Sequence, residues 1–250
     1  MRKHSGRREL AVFAVGYLTY FGVRAVAEGR VDRALDNAAS LIRLERVLGI
    51  AWEGAVQSAV GGSRVLQDLV NAVYIYGHWP VLVIAGALLY RFRREHYYTL
   101  RNACLLTGLV GLFIFALFPV APPRLTGLPL IDTVTQGASG YRQILPPALV
   151  NQYAAMPSFH AGWNLAVGIV VFRATHHWAL RVFAVLMPAA MALAVIATAN
   201  HFVIDVIVGV TLVLVALGVQ HVSVVPRRLY VGMSGGARHR YAAPSVHGHD

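Results

Sequence analysis

Charge is scarce in this chain. Asp, Glu, Lys and Arg make up 13% of its 250 residues, 57% are hydrophobic and the mean hydropathy is +0.56. A soluble globular domain carries roughly a quarter charged residues, so a large water-soluble domain is excluded. Cysteine is scarcer still: Cys104 alone, inside an apolar run, leaves no disulfide framework to staple the fold. Acidic residues number 11 against 22 Lys and Arg, for a net charge of +11. Long basic runs and basic-aromatic interleaving are nevertheless missing, which argues against nucleic acid as a partner. No internal repeat is visible.

What the chain has in abundance is apolar runs long enough to cross a bilayer, about 18 residues or more. Six are read: Leu10–Ala27, Leu66–Tyr90, Arg101–Val120, Phe159–Arg173, Ala179–Ala199 and Val203–Val219. The expected fold class is an all-α integral membrane protein with six transmembrane helices. The first run follows Arg2-Lys3-His4 and Arg7-Arg8 as a signal peptide would. It contains Tyr17, Tyr20 and Arg24 without a clear small-residue cleavage site, so a retained span is expected. Between the first two runs, Asp32–Glu53 carries Leu35, Leu41, Leu44 and Leu48 at helical spacing, the pattern of an amphipathic helix on the membrane surface. Residues 1–9 then form a cytoplasmic N-terminus, 10–220 the membrane domain and 221–250 a basic flexible tail. Arginines near span ends, such as Arg91, Arg93, Arg94, Arg173 and Arg181, concentrate on one side. The positive-inside rule places both termini in the cytoplasm, here beneath a plasma membrane.

That topology sends three distant segments to the outer membrane level: Pro122-Pro123-Arg124, Met156-Pro157-Ser158-Phe159-His160 and His201-Phe202-Val203-Ile204-Asp205. Ionisable groups at such a boundary are costly and mark function. Asp205 lies one helical turn after His201 and can orient its imidazole as a base or nucleophile. His160 suits a proton donor. Pro157-Ser158 reads as a helix start whose capping serine and free N–H groups, beginning at Phe159, suit an anion. Arg124 offers a fork of donors matched to phosphate oxygens. The same His160, His201 and Asp205 also make a two-histidine, one-carboxylate metal set, but a cationic Arg124 beside a helix N-terminus favours an anion and no metal or other cofactor.

These segments, read as Phe118–Leu125, Ala155–Trp163 and Thr198–Asp205, resemble the type 2 phosphatidic acid phosphatase superfamily, in particular the branch containing inositol phosphorylceramide synthases and their bacterial relatives. Asn71, Tyr74 and His78-Trp79-Pro80 also look like this branch. The resemblance implies a six-helix core and a phosphohistidine formed on His201 with Asp205 orienting it. It also implies His160 as proton donor to the leaving oxygen and phosphate binding by Arg124 and Ser158. Two departures stand out: Phe159 fills a position that is usually glycine, and Val195 a position that is usually arginine, for which Arg142 is the candidate replacement. Asn71, Tyr74 and His78 share one helix face and, with Asp132, Tyr141 and Tyr153 of the long loop, could line a headgroup pocket.

The expected activity is phosphoryl transfer from a membrane lipid phosphate or phosphodiester at the extracytoplasmic face. Water as acceptor makes it a phosphatase and another hydroxyl makes it a headgroup transferase. A lipid-phosphate carrier or scaffold without turnover is the reading from another class. The oligomeric state is left open.

Overall fold

The computed structural model describes residues 6–27, 30–137 and 152–235. In chain order the helices are α1 (Gly6–Ala27), α2 (Val31–Leu48), α3 (Glu53–Gly61), α4 (Arg64–Tyr76), α5 (Trp79–Phe92), α6 (Arg94–Leu117), the short α7 (Thr133–Gly137), α8 (Phe159–Ala174), α9 (Trp178–Ala197) and α10 (Val203–Gly235). Three of them are long and apolar enough to cross a membrane: α6, α9 and the Val203–His221 part of α10. The pair α4 and α5 makes a fourth if counted as one span, bent by 47°. The expected continuous helix over Leu66–Tyr90 is therefore broken at Gly77-His78. Pro80 fits the first turn of a new helix, where its missing N–H costs nothing. Of the six expected spans, the first and fourth coincide with α1 and α8. Neither meets the length and apolarity of a crossing helix; α8 has 16 residues, and crossing takes about 20.

Helix α8 is the centre of the bundle, packed against α5, α6, α9 and α10. Its buried face, with Ala166, Val167 and Val170, meets Leu89, Leu100, Ala103, Val213 and Ala216 in one apolar cluster. Large apolar side chains such as Phe113, Leu117, Val185, Leu186 and Val215 point away from this core, as they must on a helix bundle whose solvent is lipid. Close approach of α8 to α10 depends on glycine. A Cβ on Gly209 would overlap the Ser158 carbonyl oxygen, and one on Gly162 would sit 2.7 Å from the Gly209 carbonyl oxygen. At the other end of the bundle, Glu9 of α1 takes a 2.7 Å ion pair from Arg101 and a 2.9 Å bond from the Tyr97 hydroxyl, fastening α1 to α6.

The segment read as a surface amphipathic helix is helical, and of its four spaced leucines Leu41 alone is buried. Ala34, Ala38, Leu41 and Glu45 face the protein, whereas Leu35, Leu44 and Leu48 are exposed. Small side chains let α2 lie close on the 116–121 segment. Ala121 N donates to Ala34 O at 3.1 Å, Asn37 Nδ2 to Pro119 O at 2.8 Å and Arg30 to Ala116 O at 2.8 Å. Phe202, fully buried, completes this second cluster with Val120 and Ala155.

Together α2 and α3 form a strap across the start of α10. Glu53 accepts from Val203 N at 2.9 Å and Glu45 from Ile204 N at 2.8 Å, while Asp205 accepts from Phe202 N at 2.8 Å. Three successive backbone donors that a helix leaves unpaired at its N-terminus are thus each met by a buried carboxyl oxygen. Burial, aided by the neighbouring Glu53, pushes the Glu45 carboxyl up to about 8 against the opposing Ile204 bond.

Two outcomes follow from this packing. Gly209→Ala should destabilise the fold by about 1–3 kcal/mol through overpacking and move Ser158 away from α10, measured as a lowered Tm in detergent together with lost activity. An unchanged Tm would contradict the close approach. Because Glu45 holds a proton in the folded protein that the unfolded chain releases above the usual carboxylate range near 4.5, its contribution is complete below that range and lost as pH rises through about 8. The Tm of Glu45→Gln should therefore fall less between about pH 5 and pH 9 than that of the parent. Parallel curves would contradict it.

Candidate functional site

The three motif segments meet through backbone bonds. Val120 N donates to Tyr153 O at 3.0 Å and Ala155 N to Val120 O at 3.1 Å, a parallel bridge joining the first segment to the second. Arg124 N donates to Ala199 O at 3.1 Å, joining first to third, and Ser158 N to Asp205 O at 3.0 Å, joining second to third. The loop 198–202 is tightly wound: Asn200 N and His201 N both donate to Val195 O at 3.1 Å. Ala199 has φ 54°, a left-handed conformation that costs a residue with a Cβ of order 1 kcal/mol or more and persists only where its surroundings fix it. Here its carbonyl holds Arg124 N, and the Thr198 hydroxyl, itself bonded to Ala194 O at 2.7 Å, accepts from Asn200 Nδ2 at 2.9 Å.

His201, buried, bonds through Nδ1 to the Ala155 carbonyl oxygen at 2.7 Å. A carbonyl only accepts, so Nδ1 carries the proton and Nε2 keeps its lone pair. Burial pushes the imidazole down to about 4; the Ala155 bond opposes this and the Arg124 charge adds to it. The ring is thus neutral at physiological pH, the state a nucleophile needs. Asp205 lies where its spacing places it, one turn from His201. Its Oδ2 lies 3.5 Å from His201 Nδ1 and is engaged by Phe202 N, so the close orienting contact is the backbone carbonyl, with the carboxylate behind it. Asp205 Oδ1 is buried with no hydrogen-bond partner among the described residues.

The His160 ring lies 5.9 Å from that of His201, centroid to centroid. Tyr74 stacks on it at 4.8 Å and His78 lies against it at 4.2 Å. Ser158 caps α8: its hydroxyl accepts from Ala161 N at 3.4 Å, leaving the first-turn N–H groups of Phe159 and His160 as the positive end of the helix. The Phe159 side chain turns away, onto Phe115 and Trp163, so only its backbone is placed to meet an anion. Arg124 donates to Asn200 Oδ1 and has its Nε 3.4 Å from Asp132 Oδ2. Val195, where the resemblance leads one to look for arginine, is fully buried. Among the described residues no group of three or more His, Cys, Asp and Glu is arranged to hold a metal ion.

Of the pocket residues proposed from sequence, Tyr74 and His78 reach the histidines, and Asp132 reaches Arg124 while capping Thr135 at 3.0 Å. Asn71 does not. It pairs doubly with Thr133, through Nδ2 to the carbonyl at 3.1 Å and from the Thr133 hydroxyl at 2.9 Å, pinning α7 to α4. Tyr153 supplies its carbonyl to Val120 and packs beside the α2 cluster. Tyr141 and Arg142 lie outside the described residues. Sequence reasoning missed Glu45, Glu53, Asn164 and Asn200. Glu45 continues the buried spacing of Ala34, Ala38 and Leu41, a signal that could have found it.

The arrangement offers a neutral imidazole with a free lone pair, a second imidazole beside it, and an arginine and a helix N-terminus for an anion. No curated protein and no solved structure matches the chain. The family model described as PAP2 superfamily matches residues 39–219, a stretch that runs from the middle of α2 and takes in all three motif segments. On that match the chain belongs to the PAP2 superfamily.

Proposed function

We propose that this protein transfers a phosphoryl or headgroup-phosphoryl group from a membrane lipid through a covalent intermediate on His201. Membership of the PAP2 superfamily supports a lipid phosphatase or phosphotransferase in the membrane. The observation that carries the mechanism is the 2.7 Å bond from His201 Nδ1 to Ala155 O, which leaves Nε2 as the nucleophilic atom beside His160. In the first half-reaction the Nε2–phosphorus bond forms, the phosphorus–oxygen bond to the leaving group breaks and His160 protonates the departing oxygen. In the second, water or another hydroxyl attacks phosphorus, gives its proton to His160 and releases His201. Arg124 and the N–H groups that open α8 hold the phosphate oxygens, with Ser158 keeping that helix start capped. Arg142 is proposed as a second cation. The site faces the extracytoplasmic side, both termini are cytoplasmic, and the inositol phosphorylceramide synthase branch is the proposed place within the superfamily.

The purified protein should consume labelled lipid phosphates. Release of inorganic phosphate without an added acceptor would identify a phosphatase, and label moving only to a hydroxyl acceptor a transferase. A protein that binds the lipids and turns over none of them would be a carrier, and the proposal would fail.

Arg124→Ala should cost about 2–5 kcal/mol in kcat/KM if the guanidinium meets a buried phosphate, and Arg142→Ala a comparable amount. Full activity of the second variant alone would remove Arg142 from the site. Arg142→Cys, made with Cys104 replaced, should react with membrane-impermeant thiol reagents in intact cells. Labelling only after the membrane is opened would reverse the sidedness.

A further inference from the structure

His78 occupies the break between α4 and α5 and is buried. The apolar run there continues on both sides, yet the chain bends by 47° and sets an imidazole 4.2 Å from His160, edged by Trp79 and stacked at 5.9 Å over Trp163. Asn164, on the same face of α8 one turn beyond His160, reaches both histidines. Its Nδ2 lies 2.9 Å from His160 O and 3.2 Å from His78 Nδ1. Only the NH2 end of an amide can meet a carbonyl oxygen, since the reverse orientation would oppose two acceptors. With the amide fixed in this way its second hydrogen points to His78 Nδ1, which must therefore accept. His78 is thereby locked as the neutral tautomer with its proton on Nε2. Asn164 Oδ1 is buried and has no hydrogen-bond partner among the described residues.

We propose that His78 is a substrate-binding residue whose locked Nε2–H donates to a phosphate oxygen. This deepens the phosphotransfer reading and rests on it for the identity of the ligand. An uncharged donor suits this position: His160 must carry an extra proton during half of the cycle, and a second imidazolium 4.2 Å away would oppose it. His78 thus adds a contact to the oxyanion without competing for the proton, near a phosphate site in which valine stands at position 195. The broken span has a purpose on this account, since an unbroken α4–α5 helix would leave position 78 without the bend that turns it onto α8.

The test uses the full chain in detergent with inorganic phosphate as probe. His78→Gln carries an amide nitrogen near the position of Nε2, whereas His78→Asn places its amide oxygen near Nδ1, able to accept from Asn164 but short of the phosphate. Phosphate should bind His78→Gln within about threefold of the parent and His78→Asn about tenfold or more weaker, the loss of one hydrogen bond to a charged ligand. Nitrogen NMR of labelled histidine should find His78 protonated on Nε2. Equal affinities in the two variants, whether both retained or both lost, would overturn the proposal and leave His78 a packing residue, as would a proton on Nδ1 or no binding by the parent. If the phosphate result holds while the parent turns over no lipid, the phosphotransfer reading fails and the contact stands.

Discussion

The bond from His201 Nδ1 to the Ala155 carbonyl is the contact on which the rest of the site depends, and it spans 46 residues of sequence. It exists because the three motif segments are stitched by backbone hydrogen bonds: Val120 with Tyr153 and Ala155, Arg124 with Ala199, and Ser158 with Asp205. Each tie uses main-chain groups that have to be paired once buried, so the site is assembled by the same bonds that satisfy the fold. The close approach of Gly209 to Ser158 belongs to the same stitching, since any larger residue would push the second and third segments apart.

Two helix N-termini meet at this level and are treated oppositely. That of α10 is filled from within, by Glu53, Glu45 and Asp205 on three consecutive donors. That of α8 is capped only by the neutral Ser158 hydroxyl, and its dipole remains uncompensated by any carboxylate in its first turn. The positive helix end left open is therefore that of α8, which carries His160, while the start of α10, just after His201, is occupied by carboxyl groups. Arg124 lies between the two, oriented by Asn200 and Asp132. On the mechanism proposed above, fixed donors behind His201 and open charge in front of it are the arrangement expected where catalysis depends on preorganised dipoles.

Much of this was legible in the sequence and the remainder was hidden for physical reasons. His160, His201, Arg124 and Ser158 announce themselves because polar side chains at the edges of apolar runs are costly without a role. The closer partner of His201 Nδ1 could not be read, because a backbone carbonyl has no residue type; Asp205, read from its helical spacing, lies 3.5 Å from the same nitrogen and also accepts from Phe202 N. Leu66–Tyr90 looked continuous because Gly77 and His78 interrupt its hydropathy too briefly, and only Pro80 betrayed a new helix start. On α2 the leucine spacing does not single out the face packed on the protein, which is Ala34, Ala38, Leu41 and Glu45, while Leu35, Leu44 and Leu48 stay exposed. Asn71 shared a face with Tyr74 and His78 but lies farther from the bend, where α7 claims it.

A phosphohistidine is stable in alkali and labile in acid, which allows the central claim to be tested directly. The protein is quenched in base during turnover of a phosphorus-labelled lipid phosphate, then digested and mapped. The account predicts label on the peptide containing His201, bound through nitrogen and lost in mild acid. Label on His160, or steady turnover with no protein-bound phosphorus at any time, would contradict it.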